Sequence, residues 1–292
     1  VLGAWVHGRW YQAGFTRAQE GSERKEGRLR SLVLDRLLAR ARTSTRVLVA
    51  KEIRVFFRDT TQWSQLILLG VLVAVYVYNI TVLPLYTGER VSFFLINVVS
   101  FLNLGLAGFV VAAIAARFVF PAMSLEGRMM WLLRSSPLNV RTLFWAKYWV
   151  GTVPLLLVAL PLIIVTNAIL EVSPFIFLLS TGTMVMVTFA LTALALGFGA
   201  PSPPSPPAPP AEIPTSFGGL LFMMAAVTYL GGVVILEAWP VYLFLASRLR
   251  GGEAEVSVVP LVLGVSGAAA LTAAAVVLPL WAGMRRVQKL EL

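Results

Sequence analysis

Six apolar runs, each long enough to cross a bilayer, fill most of the chain after residue 61. They extend over Gln62–Val82, Phe93–Ala116, Tyr148–Leu170, Phe175–Ala200, Phe217–Trp239 and Val258–Gly283. About 20 apolar residues in a helix cover the roughly 30 Å of hydrocarbon in a membrane, so the pattern predicts six spanning helices. The runs lack the two-residue alternation of a membrane barrel. The expected fold is therefore all-α, a polytopic helical membrane bundle.

Ahead of the runs the periodicity changes. Leu29, Leu32, Val33, Leu37 and Ala41 recur at helical spacing, with Arg30, Arg36 and Arg40 elsewhere on the wheel. A second stretch, RVLVAKEIRVFFRD, places Lys51, Arg54 and Arg58 on one side and Val49, Ile53, Phe56 and Phe57 on another. Basic amphipathic helices beside a span lie in the headgroup plane. This divides the chain into a basic interfacial segment (1–61), a spanning domain (62–283) and a tail (284–292). The opening VLGAWVHGRW, without Met, reads as the last turns of a preceding membrane helix rather than a signal peptide. The chain is therefore expected to be the C-terminal part of a longer protein.

Composition agrees: 58% of residues are hydrophobic and 13% charged, against about 25% charged in soluble domains. The net charge of +10 in a soluble protein would point to nucleic acid. Here the basic residues crowd into a few loops, as the positive-inside rule expects, and no nucleic-acid partner is inferred. Thirteen Lys/Arg precede the first run; the 117–147 loop holds Arg117, Arg128, Arg134, Arg141 and Lys147; the tail holds Arg285, Arg286 and Lys289. These three segments are assigned to the cytoplasm of a cell inner (plasma) membrane protein. The loop Pro201–Ser216 has no Lys or Arg; its PSPPSPPAPP tract favours polyproline II and reads as a spacer or as a docking site for a proline-recognising domain.

No catalytic constellation stands out. The chain has no Cys and one His, His7, so no metal site is expected. It has no GxxxxGK[ST] phosphate loop, HExxH or GxSxG, and no cofactor is expected. The middles of the runs are read as free of charge, which argues against a proton- or ion-coupled carrier and for energy arriving from elsewhere. Asn97, Ser100 and Asn103 recur every three residues and either line a path or bond neighbouring helices. Pro154 and Pro161 predict a kink in the third run. Gly105, Gly108 and Ala112, and Gly264, Gly267 and Ala268, offer small surfaces for close helix contact.

The segment Arg117–Lys147 mixes positive charge with Met129, Met130, Trp131, Leu132 and Leu133, which suits a handle gripped by a soluble partner. The order of amphipathic basic helix, two spans, structured cytoplasmic loop and four more spans resembles the membrane subunit of ABC-2 type exporters. KEIRVFFRDTTQW is similar to that family's interface helix, and SLEGRMMWLLRSSPLNVRTLFWAK to its coupling segment. NITVLPLY, RFVFPAMSLEGR, WAKYWVGTVPLL and EIPTSFGGLL resemble a bacterial group of ABC exporter permeases with two six-span halves in one chain. The Pro-rich tract departs from that pattern. The resemblance implies a non-enzymatic permease half that pairs with a second half or a copy of itself and is driven by a separate ABC ATPase subunit. It implies that Glu126, Gly127, Arg128, Met130, Trp131 and Arg134 meet the ATPase, or else fix the loop to the headgroups. It also implies that Lys51, Arg54, Phe57 and Arg58 form the interfacial helix. An ATP-independent carrier or channel and a non-transporting membrane scaffold are the alternatives.

Overall fold

The computed structural model describes residues 48–52, 60–82, 89–126, 140–200, 215–249 and 258–289. The chain divides into two compact units, Val1–Ala50 and Lys51–Leu292. Of the first, residues 48–50 are described, and they are helical. The second contains α1 (Thr60–Thr81), α2 (Glu89–Phe118), α3 (Phe120–Glu126), α4 (Val140–Ile169), α5 (Pro174–Phe198), α6 (Phe217–Leu249) and α7 (Val258–Lys289). No strand occurs among the described residues. The fold is an all-α membrane bundle. Hydrocarbon offers no water to backbone N–H and C=O groups, so only a helix that pairs them internally crosses it alone.

Helices α2, α4, α5, α6 and α7 are each long and apolar enough to span. In α1 the described apolar stretch is the shorter Leu69–Thr81, although its full 22 residues reach about 33 Å at 1.5 Å per residue. Large apolar side chains such as Leu157, Leu178, Ile235 and Leu263 are exposed on the outside of the bundle, as a lipid-facing surface requires.

Helix α5 is the centre. Every residue from Ala190 to Gly197 is buried, so its final turns are enclosed on all sides, the mark of an interior helix. It contacts α2, α4, α6 and α7. Its crossing with α7 brings backbones together: a methyl added at Gly197 would lie 2.4 Å from the Pro279 carbonyl oxygen, and one added at Gly283 would lie 3.1 Å from Gly197 Cα. The expected small-residue surfaces are used. A methyl on Gly105 or Gly108 of α2 would meet Val234 or Leu230 of α6, and one on Gly264 of α7 would meet Leu236 and Pro240 of α6.

Several boundaries depart from the sequence pattern; α7, for instance, continues past Gly283 to Lys289, taking Arg285 and Arg286 out of the predicted tail. Pro240 reads as the end of the fifth run, yet α6 continues through it to Leu249. Proline removes one backbone donor and leaves the carbonyl four residues earlier unpaired. That carbonyl is Leu236 O, and side-chain-free Gly264 packs against it and the proline ring. Helix α4 begins at Val140, taking Arg141 and Lys147 out of the predicted loop. It then runs unbroken through Pro154 and Pro161.

Helix α4 ends in a Schellman motif. The Val172 N–H donates to the Asn167 carbonyl at 3.4 Å, and Glu171 takes a left-handed φ of 49°, a conformation glycine adopts more readily. Pro174 opens α5, and the preceding Ser173 bonds to α2 instead of capping its own helix. Gly197→Ala is expected to destabilise the bundle by about 1–3 kcal/mol, because the added methyl meets backbone that cannot yield. Gly182→Ala, with open space around it, is expected to be neutral or stabilising. Thermal melting of both variants in detergent checks the contrast.

Candidate functional site

Two polar assemblies stand out from the apolar bundle, one at the end that bears the 117–147 segment and one inside. At that end, α2 does not simply stop. A turn at Val119, held by its N–H to Ala115 O at 2.9 Å, leads into α3. This short helix is fastened to its neighbours: Phe120 and Met123 are buried, the Phe120 and Phe222 rings lie 5.9 Å apart, and Ser124 Oγ donates to the Gly199 carbonyl at 2.8 Å. A methyl on Gly199 would lie 2.2 Å from Phe120 O, so only glycine permits this approach. The start of α6 is close by. Ser216 accepts from the Gly219 N–H at 3.4 Å, an N-cap arrangement, and a methyl on Gly218 would touch the Phe120 ring. Displacing α3 therefore displaces the ends of α5 and α6.

The far side of the segment is held by charge. Lys147, in the second turn of α4, has a side chain only 3% exposed, and its Nζ lies 3.0 Å from Glu52 Oε1. Lys51 Nζ lies 3.8 Å from the same oxygen. Removing one partner of a buried ion pair costs about 3–5 kcal/mol, because the other charge is left in low dielectric. The pair thus joins the stretch before α1 to the start of α4. Glu52 was not singled out in the sequence: the amphipathic pattern there is dominated by its three basic residues. Lys51, which was singled out, sits beside the pair.

Glu126 closes α3. Gly127, Arg128, Met130, Trp131 and Arg134 lie outside the described residues, as do Arg54, Phe57 and Arg58, the Leu29–Arg42 stretch and the tract 201–210.

Inside the bundle, Asn97, Ser100 and Asn103 are all buried. Asn97 Oδ1 accepts from the Ser173 N–H at 3.1 Å and from Ser173 Oγ at 2.7 Å. Ser100 Oγ donates to Asn167 Oδ1 at 2.8 Å, and Asn167 Nδ2 donates to Ser180 Oγ at 2.7 Å. Asn103 Oδ1 accepts from the Tyr76 hydroxyl. The three residues thus tie α2 to the α4–α5 corner, to α4 and α5, and to α1. The first two bond to residues of neighbouring elements, the arrangement by which membrane helices are held together.

The expectation that the spans carry no interior charge is overturned by Glu237. It lies 12 residues before the end of α6 and is 1% exposed. Thr183 Oγ1 of α5 donates to its Oε1 at 2.6 Å. The misreading follows from Pro240: ending the fifth run at Trp239 puts Glu237 at a membrane edge, whereas the continuous helix puts it in the interior. Three buried side-chain atoms have no hydrogen-bond partner among the described residues: Glu237 Oε2, Asn103 Nδ2 and Thr181 Oγ1. Leaving such groups unpaired costs about 1–3 kcal/mol each, and more for a charged group.

Among the described residues no group of three or more His, Cys, Asp or Glu could hold a metal. A family model described as Putative ATP-binding cassette matches residues 1–292. No curated protein and no solved structure matches the chain. For the ion pair, Glu52→Gln and Lys147→Met are each expected to destabilise, the first by about 3 kcal/mol, while the double variant recovers most of the loss. A double-mutant cycle of denaturation in detergent reads the coupling, and additive effects would remove the pair as a link.

Proposed function

The chain belongs to the family described as Putative ATP-binding cassette, and from that premise we propose that it is the membrane permease of an ABC-2 type exporter, powered by ATP hydrolysis on a separate subunit. ABC transporter membership and a multi-pass membrane bundle support the transporter part. The chain contains no phosphate-loop pattern of its own, so hydrolysis is assigned to the partner and this chain is read as non-enzymatic. In this reading the loops rich in Lys and Arg face the cytoplasm of the plasma membrane. A second permease half or a second copy completes the unit.

The observation that supports this reading best is how the 117–147 segment is mounted. Its front, α3, touches the ends of α5 and α6 through Gly199, Phe120 and Phe222. Its back, Lys147, is ion-paired to Glu52. A loop with no mechanical task needs neither. The intervening residues are proposed to occupy a groove on the ATPase, with Met130 and Trp131 as apolar anchors and Arg128 and Arg134 supplying charge complementarity. Closure of the ATPase then pushes on α3 and α4 together, and the bundle switches the side to which its interior opens.

One observation favours a second reading. An ATP-independent, ion-coupled carrier keeps an ionisable group inside its bundle, and Glu237 is such a group. The partner separates the two. In a pull-down from native membranes in mild detergent, an ABC ATPase is expected to co-purify with the native chain. It is expected to be lost from a folded variant carrying Glu126→Ala, Met130→Ala and Trp131→Ala. Recovery of no ATPase with either protein, together with transport by the chain alone in liposomes, would reject the permease reading in favour of the carrier.

A further inference from the structure

Glu237 and Asn103 come to one level of the bundle. On α2 and α6, a methyl on Gly108 would meet Leu230 and one on Gly105 would meet Val234, so rising numbers on one helix face falling numbers on the other. Continuing that register by a turn brings Phe101 opposite Glu237, with Asn103 two residues, about 3 Å, along the axis and turned toward Tyr76 of α1. A second route agrees. Asn97 bonds Ser173 at one end of the bundle, and α3, directly after α2, bonds Gly199 at the other, so α2 and α5 run in the same direction. Ser100 is joined through Asn167 to Ser180. Three residues further along each helix come Asn103 and Thr183, and Thr183 holds Glu237. Thr183 is nine residues into α5, about 14 Å from its start at 1.5 Å per residue, and so inside the hydrocarbon.

This layer differs from the other polar contacts of the interior. Ser100, Asn167 and Ser180 satisfy one another, and Tyr229 bonds Thr272, whose hydroxyl in turn bonds Ala268 O. Asn103 and Glu237 each keep one buried polar atom unpaired, a donor at Nδ2 and an acceptor at Oε2. The other Asp, Glu, Lys and Arg residues of α2, α4, α5, α6 and α7 all lie within about two turns or so of a helix end (Arg248 in the case of α6) or at the loops. Among the described residues, Thr183 of α5 bonds Glu237, and Tyr229 of α6 and Thr272 of α7 bond each other two turns away, none of them a cation. The surroundings of this layer are apolar: Val233 and Met184 are buried beside its members in sequence.

A carboxyl group in such a site is either protonated and neutral or matched by a positive charge, and none of the described residues supplies that charge. We propose that Glu237, oriented by Thr183, binds the positively charged group of the transported substrate, a cationic amphiphile. The ammonium would donate to Oε2, and the apolar body would lie among the helices. Because Glu237 is shielded by protein, the helices must part to admit the group, which is the movement the permease reading requires. The inference rests on that reading for the word "transported". Its binding chemistry does not depend on the ATPase, and an inorganic cation offers the same charge.

The test uses the purified full chain in nanodiscs without any ATPase, so its failure is separate from failure of the pull-down. The probe is dansylcadaverine, an apolar primary amine, compared with its N-acetylated, uncharged form. The native chain is expected to bind the amine, and Glu237→Gln, which keeps the shape and a partner for Thr183, is expected to weaken it roughly ten-fold or more, as loss of a charge-assisted hydrogen bond does. Glu237→Asp, which keeps the charge and shortens its reach, is the second variant should the first not fold, and it too is expected to bind the amine less tightly. Sodium chloride, compared with uncharged sucrose of equal osmolality, distinguishes the sources: displacement of the amine by sodium at Glu237 assigns the site to a small cation and overturns the proposal, and retention of the amine supports it. Equal binding of the amine by native and Glu237→Gln chains, equal binding of the acetylated probe, or no binding by the native chain would overturn the proposal.

Discussion

The contact on which the bundle depends is the backbone crossing of α5 and α7 at Gly197, Pro279 and Gly283. Between helices in lipid there is little hydrophobic force, since the tails are as apolar as leucine, and association rests on close packing and on hydrogen bonds. Glycine supplies the closeness. With α7 drawn against it, α5 becomes enclosed on all sides, and its Ser180 and Thr183 are held where α4 and α6 supply partners. Two residues past Gly197, Gly199 receives α3. The same short stretch therefore fixes the core and joins it to the 117–147 segment, which on the proposed reading gives a push delivered there a route into the spans.

Hydrogen bonding inside the bundle divides into finished and unfinished parts. The Asn97–Ser173 and Ser100–Asn167–Ser180 links satisfy their side chains between helices and specify which helices lie together. Glu237 and Asn103 are left with open positions in a setting where open positions are costly. Structure alone gives no reason to keep an acid there, since a buried polar group with half its partners is worse than an apolar one. On the proposed reading, that cost is accepted because the group meets something that moves through.

The sequence made the spans legible because bilayer thickness imposes a length that composition displays directly. It also marked the glycine surfaces of α2 and α7, though not that both would face α6. What it hid was hidden for definite reasons. Pro240 looks like a stop, and only the packing of Gly264 against the Leu236 carbonyl shows how α6 continues past it and carries Glu237 inside. Lys147 and Arg141 look like loop charges, because the carboxylate that pairs with buried Lys147 is that of Glu52, 95 residues away. Asn97, Ser100 and Asn103 were visible as a polar stripe. Their partners Ser173, Asn167 and Tyr76 lie 76, 67 and 27 residues off in the chain, a separation that no local pattern encodes.

We propose that ATP hydrolysis on a partner moves this bundle through α3 and the Glu52–Lys147 pair. The most direct measurement is the distance between spin labels at Tyr78 of α1 and Leu178 of α5, both exposed, in the reconstituted complex with and without ATP. The account predicts a distribution that shifts when ATP is added and no longer shifts in Lys147→Met. An identical distribution with and without ATP in the native complex would contradict it.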